Sequence, residues 1–169
     1  MEPQRQGWTL VIGVGNEMRG DDKLGLIAAR SIQKKTFLDV HVVEHSGEGG
    51  SLFEILGQEE RVFLIDALAP RHSSGEIHII NVHARPIPSS MFGFSSHAFG
   101  VAQAIELGRR LGKLPHTFRL FGITGYSFGV GDPLSVPVVE ALPFLVRAVE
   151  QEVQLFESER YHYTKGDMS

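Results

Sequence analysis

The sequence contains no cysteine, one tryptophan and three tyrosines in 169 residues. Without cysteine there are no disulfides, no thiol nucleophile and no thiolate metal site, and the chain suits a reducing compartment. Basic charge is also short. Sixteen Lys and Arg against 20 Asp and Glu leave a net charge of -4, which argues against a nucleic-acid partner held through phosphates. No apolar run is long enough for a membrane span, and the start, MEPQRQG, is too polar for a secretory leader. These absences predict a cytoplasmic protein with no membrane or nucleic-acid partner, acting as a monomer. At 42% hydrophobic and 21% charged residues, the composition is that of one globular domain with a full core. The domain is expected over residues 1–156, followed by a polar tail at 157–169, ESERYHYTKGDMS, that frays.

Glycine is plentiful, at 19 residues, and it is concentrated where the chemistry is expected. The stretch Gly13-Val-Gly-Asn-Glu-Met-Arg-Gly-Asp-Asp22 follows the apolar run Trp8–Ile12. A glycine-rich turn after a strand is a common phosphate cradle, but this one fails both standard patterns. The third glycine of the dinucleotide fingerprint is missing after Gly13 and Gly15. Gly15 and Gly20 have Walker spacing, yet Asp21-Asp22 stands where Lys-Ser/Thr belongs. Anions are repelled from such a loop, so it is expected to hold a cation or a proton donor. One aspartate is accounted for as a helix cap; if Asp21 caps, Asp22 is free to point elsewhere. Glu17 reads as a solvated rim residue.

Periodicity places strands at 8–13, 39–44, 61–66, 76–82 and 117–124 and helices at 22–35, 97–111 and from Ser135 onward. On the last helix Val139, Leu142, Val146, Val149 and Val153 are expected inward. Ser51-Leu-Phe-Glu54 has the form of a capping box opening a short helix that Gly57 closes. Strands and helices alternate, and three strands are apolar on both faces, which predicts an α/β fold with a mostly parallel, covered sheet. The strand at 76–82 follows its predecessor too closely for a helical crossover and is expected to run antiparallel.

Asp66 closes the apolar strand Arg61–Asp66, and in open α/β sheets ligands bind beyond the carboxyl ends of strands. His97 stands in Ser95-Ser-His-Ala-Phe-Gly100 at the expected start of a helix. Asp22, Asp66 and His97 together make an oxygen and nitrogen donor set suited to a divalent first-row metal. Three such ligands leave positions open for water or for a group brought by a partner. The loop at Met91-Phe-Gly-Phe94 offers exposed apolar side chains for docking or, equally, a buried lid.

The order of these motifs, G-x-G-N-x-x-x-x-D-D, then a strand ending in I-D-A, then S-x-H-x-x-G, resembles the hydrogenase maturation endopeptidases. The resemblance extends from about Leu10 to Leu145. It implies a three-layer α/β/α sandwich with a five-stranded twisted sheet and one antiparallel strand. The implied activity is removal of a short C-terminal peptide from the large-subunit precursor of a [NiFe] hydrogenase after nickel insertion. Nickel arrives with that precursor and serves for recognition; zinc is a possible substitute. The resemblance carries the family's metal ligands onto Asp22, Asp66 and His97 and catalysis onto Asp22 and Asp66. Gly15, Asn16, Glu44 and Gly49 become substrate-binding residues, with Glu44 standing where the family usually has Asp.

With no G-x-S-x-G elbow, no H-E-x-x-H helix and no Asp-Thr/Ser-Gly, water is the expected nucleophile. A metal that acidifies the water, and a metal that only aligns the substrate while Asp22 or Asp66 acts as base, both fit. The alternative function with the same ligands is a non-enzymatic nickel-binding chaperone of hydrogenase assembly. Peptidyl-tRNA hydrolases share the G-x-G-N turn, but their later T-R-H-N is absent, and a plain nucleotide-binding module conflicts with the acidic loop.

Overall fold

The computed structural model describes residues 7–70, 73–92 and 98–166, with side chains through Ser158. Strand β1 spans Thr9–Val14 and is buried along its whole length. A single 3-10 turn, Gly20–Lys23, leads into helix α1, Leu24–Gln33. Next come β2 (Val40–His45), α2 (Gly49–Leu56), β3 (Arg61–Leu68) and β4 (Ile77–Asn81). Helix α3 (Val101–Arg110), β5 (Thr117–Thr124) and the long α4 (Val136–Gly166) complete the chain.

The strands form one sheet in the order β2-β1-β3-β5-β4. β1 lies parallel to β2 and β3, and β3 parallel to β5; β4 joins β5 antiparallel, as its short connection requires. Side chains alternate across the sheet, so each central strand feeds two cores. Leu10, Ile12, Leu64 and Leu120 pack with Leu52 and Leu56 of α2 and Ala104 and Ile105 of α3. Val11, Phe63, Ile65 and Phe121 pack on the other face with Leu24, Ala28 and Ile32 of α1 and Leu145 and Val149 of α4. This is the three-layer α/β/α sandwich. Phe63, Phe118 and Phe121 are wholly buried, each stabilising the fold by about 1.5–3 kcal/mol relative to exposure. Among the described residues no helix is long and apolar enough to cross a membrane.

Several local expectations change. The short helix α2 begins at Gly49, not Ser51: the Glu48 side chain accepts from the Gly50 and Ser51 amides, so the cap lies three residues earlier. Gly57 does close that helix. Helix α3 begins at Val101 rather than His97, because Gly100 breaks the pattern and its amide donates to the Gln103 side chain. On α4, Val149 and Val153 are buried and Leu142 and Val146 pack half-buried against the same core, as expected, while Val138, Ala141 and Leu145 are buried beside them and Val139 is exposed. α4 runs to Gly166.

Candidate active site

Both aspartates singled out in the sequence reach the carboxyl edge of the parallel strands. β3 continues two residues beyond Asp66, so Asp66 is not terminal; its Cα is paired with Gly122 of β5. The pairing of β1 with β3 stops at Gly13 and Ile65. The Asp66 side chain therefore stands where β1 has turned away into the glycine loop. It is 5% exposed, and its Oδ1 accepts the Ala67 amide at 2.8 Å. The loop returns over it through Asp22, at the 3-10 turn. Gly15 permits this return: a side chain there would collide with the Asp22 carbonyl, which accepts the Asn16 amide at 3.3 Å.

The electrostatics of the pair follow from this enclosure. Burial pushes the Asp66 carboxyl well above the usual carboxylate range, and the neighbouring Asp22 charge pushes it further, against the Ala67 amide. Burial also raises Asp22, opposed by the Arg19 guanidinium and the Asn16 amide. Asp66 thus senses the Asp22 charge in a poorly solvated place, which favours its protonated form.

His97 lies outside the described residues. Among the described residues no group of three or more His, Asp and Glu is gathered as a complete metal site. Asp22 and Asp66 supply two oxygen donors, which suit a divalent cation.

Beside the aspartates, Gly15, Asn16, Glu17, Leu26, Glu44, His45 and Ser46 line a cavity of about 350 Å³. Three of the four expected substrate-binding residues, Gly15, Asn16 and Glu44, therefore come together. Gly49 is not among these lining residues. It is buried, its amide donates to the Phe99 carbonyl at 2.9 Å, and a side chain there would strike the Phe99 ring. Glu44 is held by a fork of two 2.7 Å bonds from Arg30, whose remaining nitrogen pairs with Glu17. The Arg30 hydrogen bonds hold Glu44 below the usual carboxylate range despite a small opposing effect of burial, and Glu44 and then Glu17 hold Arg30 more firmly protonated. Glu17 is on the rim, as expected, but ion-paired. Met91 and Phe92 pack half-buried against the core, nearer to the buried alternative; Phe94 lies outside the described residues.

Sequence reasoning passed over three residues. Arg30, near the end of α1, reaches the rim through its bonds to Glu44 and Glu17. His45 ends β2 at this rim and lines the cavity. One of the two aspartates was expected to cap a helix, but the cap position before the 3-10 turn is Arg19, which makes no side-chain cap bond, and Asp21 is directed elsewhere.

Solved structures share this fold. The HybD hydrogenase maturating endopeptidase from E. coli superposes with a TM-score of 0.71 at 21% identity, covering 87% of this chain and 92% of that one. The [NiFe] hydrogenase maturation protease HybD from Thermococcus kodakarensis gives 0.62 at 23% identity, over 86% and 99%. HycI from Thermococcus kodakarensis KOD1 gives 0.64 at 20% identity, over 88% and 93%. At these identities the structures establish a shared fold. No curated protein sequence matches. The family model HycI, described as hydrogenase maturation protease, matches residues 27–152. That span contains Asp66 but begins after Asp22, so the place of Asp22 rests on the geometry above. With three quarters of its length matched, the chain belongs to the hydrogenase maturation protease family.

Proposed function

We propose that this protein is an endopeptidase that removes a short C-terminal peptide from the large-subunit precursor of a [NiFe] hydrogenase once nickel has been inserted. The observation that carries the reading is the Asp22–Asp66 pair: one carboxylate from the turn after β1 and one from β3, the second of them buried and made harder to ionise by the charge of the first. Such a pair has two uses in peptide hydrolysis. One carboxylate takes a proton from the attacking water, and the protonated partner gives one to the leaving amine. The same oxygens offer donors to the nickel that the precursor brings, with His97 as the third ligand; zinc is the nearest substitute in donor preference. Docking of a cation would displace the proton the pair holds, because the cation's charge inverts the local preference for a neutral site. Recognition of a loaded precursor is thereby tied to readiness of the base. Gly15, Asn16 and Glu44 line the cavity that receives the chain beside the scissile bond.

The test is intact mass spectrometry of nickel-loaded and nickel-free precursor, each incubated with this protein. Loss of a short C-terminal peptide from the loaded sample alone is the expected result, and Asp66→Asn abolishes it. Retained precursor binding with no loss of mass would overturn the protease reading and leave a nickel-binding assembly chaperone.

A further inference from the structure

Asp21 is wholly buried and accepts four hydrogen bonds, all from beyond its own turn. Its Oδ2 takes the amides of Tyr126 at 2.8 Å and Ser127 at 3.0 Å and the Ser135 hydroxyl at 2.8 Å. Its Oδ1 takes the Ser135 amide at 2.7 Å. Its own amide donates back to the Ser127 carbonyl at 2.7 Å. Around it the same two segments are sewn together repeatedly. Gly131 donates to the Met18 carbonyl at 2.8 Å, Arg19 Nε to the Phe128 carbonyl at 3.2 Å and Lys23 Nζ to the Asp132 carbonyl at 3.3 Å. Gly20 adopts φ +47 exactly where the Ser127 carbonyl leaves no room for a side chain. The 126–132 segment is itself closed by Asp132, which accepts from the Ser127 hydroxyl and from the Gly129 amide at 3.1 Å.

We infer that Asp21 is a positioning residue for hydrolysis: it fastens the turn that carries Asp22 to the loop between β5 and α4 and so sets Asp22 against Asp66. The inference rests on the protease reading of that pair. The cap position of the turn lacks a side-chain bond, and its local bonds are backbone bonds among Asn16, Arg19 and Asp22 and one from the Met18 amide to the Asn16 side chain. Of its ties to the 126–135 segment, Asp21 supplies more than any other residue. Asp66, by contrast, is set by strand pairing on β3. The spacing of the two carboxylates therefore depends on what ties the turn to the sheet, and β5, which leads into the 126–135 segment, is the direct neighbour of β3. The adjacent aspartates divide the work. Asp21 spends its oxygens on anchoring donors, which leaves Asp22 to face the site. This also answers why both positions are acidic: an amide at position 21 would turn its NH2 toward either the Ser135 amide or the three donors on Oδ2.

The test compares Asp21→Ala, Asp21→Asn, Ser135→Ala and Ser135→Thr in the nickel-loaded precursor cleavage assay. Thermal melts and hydrogen exchange of residues 16–22 are run in parallel. Displacement of a reacting group by about 1 Å costs on the order of 10²-fold in rate, so Asp21→Ala is expected to lose about that much kcat with KM little changed. Asp21→Asn, which can keep part of the acceptor set, is expected to lose less. Ser135→Ala is expected to lose several-fold, and Ser135→Thr, which keeps the hydroxyl, to recover it. Amides of 16–22 exchange faster in each impaired variant. Unchanged kcat per folded molecule in Asp21→Asn and Ser135→Ala, with only the melting temperature lowered, would overturn the inference and leave a purely structural bond. If Asp21→Ala does not fold, the Ser135 pair decides. If wild-type protein does not cleave, the protease reading fails instead, and unaltered exchange at 16–22 would separately overturn the anchoring role.

Discussion

Two acidic pairs stand at the same edge of the sheet, and they are built in opposite ways. Burial raises both Asp22 and Asp66 toward the protonated form; the Asp22 charge raises Asp66 further, while Arg19 opposes the shift at Asp22 alone. Glu17 and Glu44 lie on the open rim and share Arg30, so the Glu44 charge is fixed below the usual carboxylate range. The first pair is costly to ionise and therefore responsive to an incoming cation or proton. The second is neutralised and solvated, which suits a wall of constant charge rather than a reacting group. Carboxylates alone do not identify a catalytic site; the work left undone around them does.

The contrast is open to direct attack. Asp66→Asn is expected to cut kcat by about 10²–10⁴-fold, the range for loss of a general acid or base, in the precursor cleavage assay. The same substitution should make the metal-free protein more stable in alkaline solution. Folding raises the Asp66 pKa, so the folded chain binds the proton more tightly than the unfolded one. Its stability contribution is therefore full below the ordinary carboxylate range and declines as pH rises through the folded value. Denaturant melts across pH should show that decline in the wild type and a flatter curve in Asp66→Asn. Asp22→Asn should impair cleavage comparably and, by removing the like charge, lower the Asp66 pKa, which carboxylate resonances in an NMR titration would report. Arg30→Ala should free Glu17 and Glu44 to repel, raising KM by less than about tenfold with kcat nearly intact. Glu17→Gln is expected to have the smallest effect: cleavage kinetics and melting temperature indistinguishable from wild type.

The sheet was legible because its signals are local. The apolar runs of β1, β3 and β5, and the short link before β4, reveal strand type and direction without any knowledge of the partner strand. Asp22 and Asp66 were legible because a strand end in an α/β sheet is a predictable address. The start of α2 was obscured by Gly49 and Gly50, which look like loop until Phe99 is seen against Gly49. The role of Asp21 was not legible at all. Its donors come from Tyr126, Ser127 and Ser135, more than a hundred residues downstream, and nothing in a pair of adjacent aspartates says which carboxylate turns inward. The fork of Arg30 on Glu44 was hidden for a similar reason, since it joins a helix to the edge strand beside it.

The reversed direction of β4 has a consequence for how this scaffold can vary. A strand that runs backwards needs no crossover helix, and among the described residues between Leu68 and Val101 the regular elements are β4 and two short 3-10 turns. It leaves the carboxyl edge along β4 and comes back to it at Phe92, which bridges to Leu68. Loops of this kind tolerate length changes at small entropic cost, about 0.6 kcal/mol per doubling. The opposite rim, built from the glycine loop and the Asp21 anchorage, has no such slack. The molecule thus resembles a tool with a fixed jaw and an adjustable one: a change of length on the β4 side leaves Asp22 and Asp66 where the glycine loop and β3 hold them.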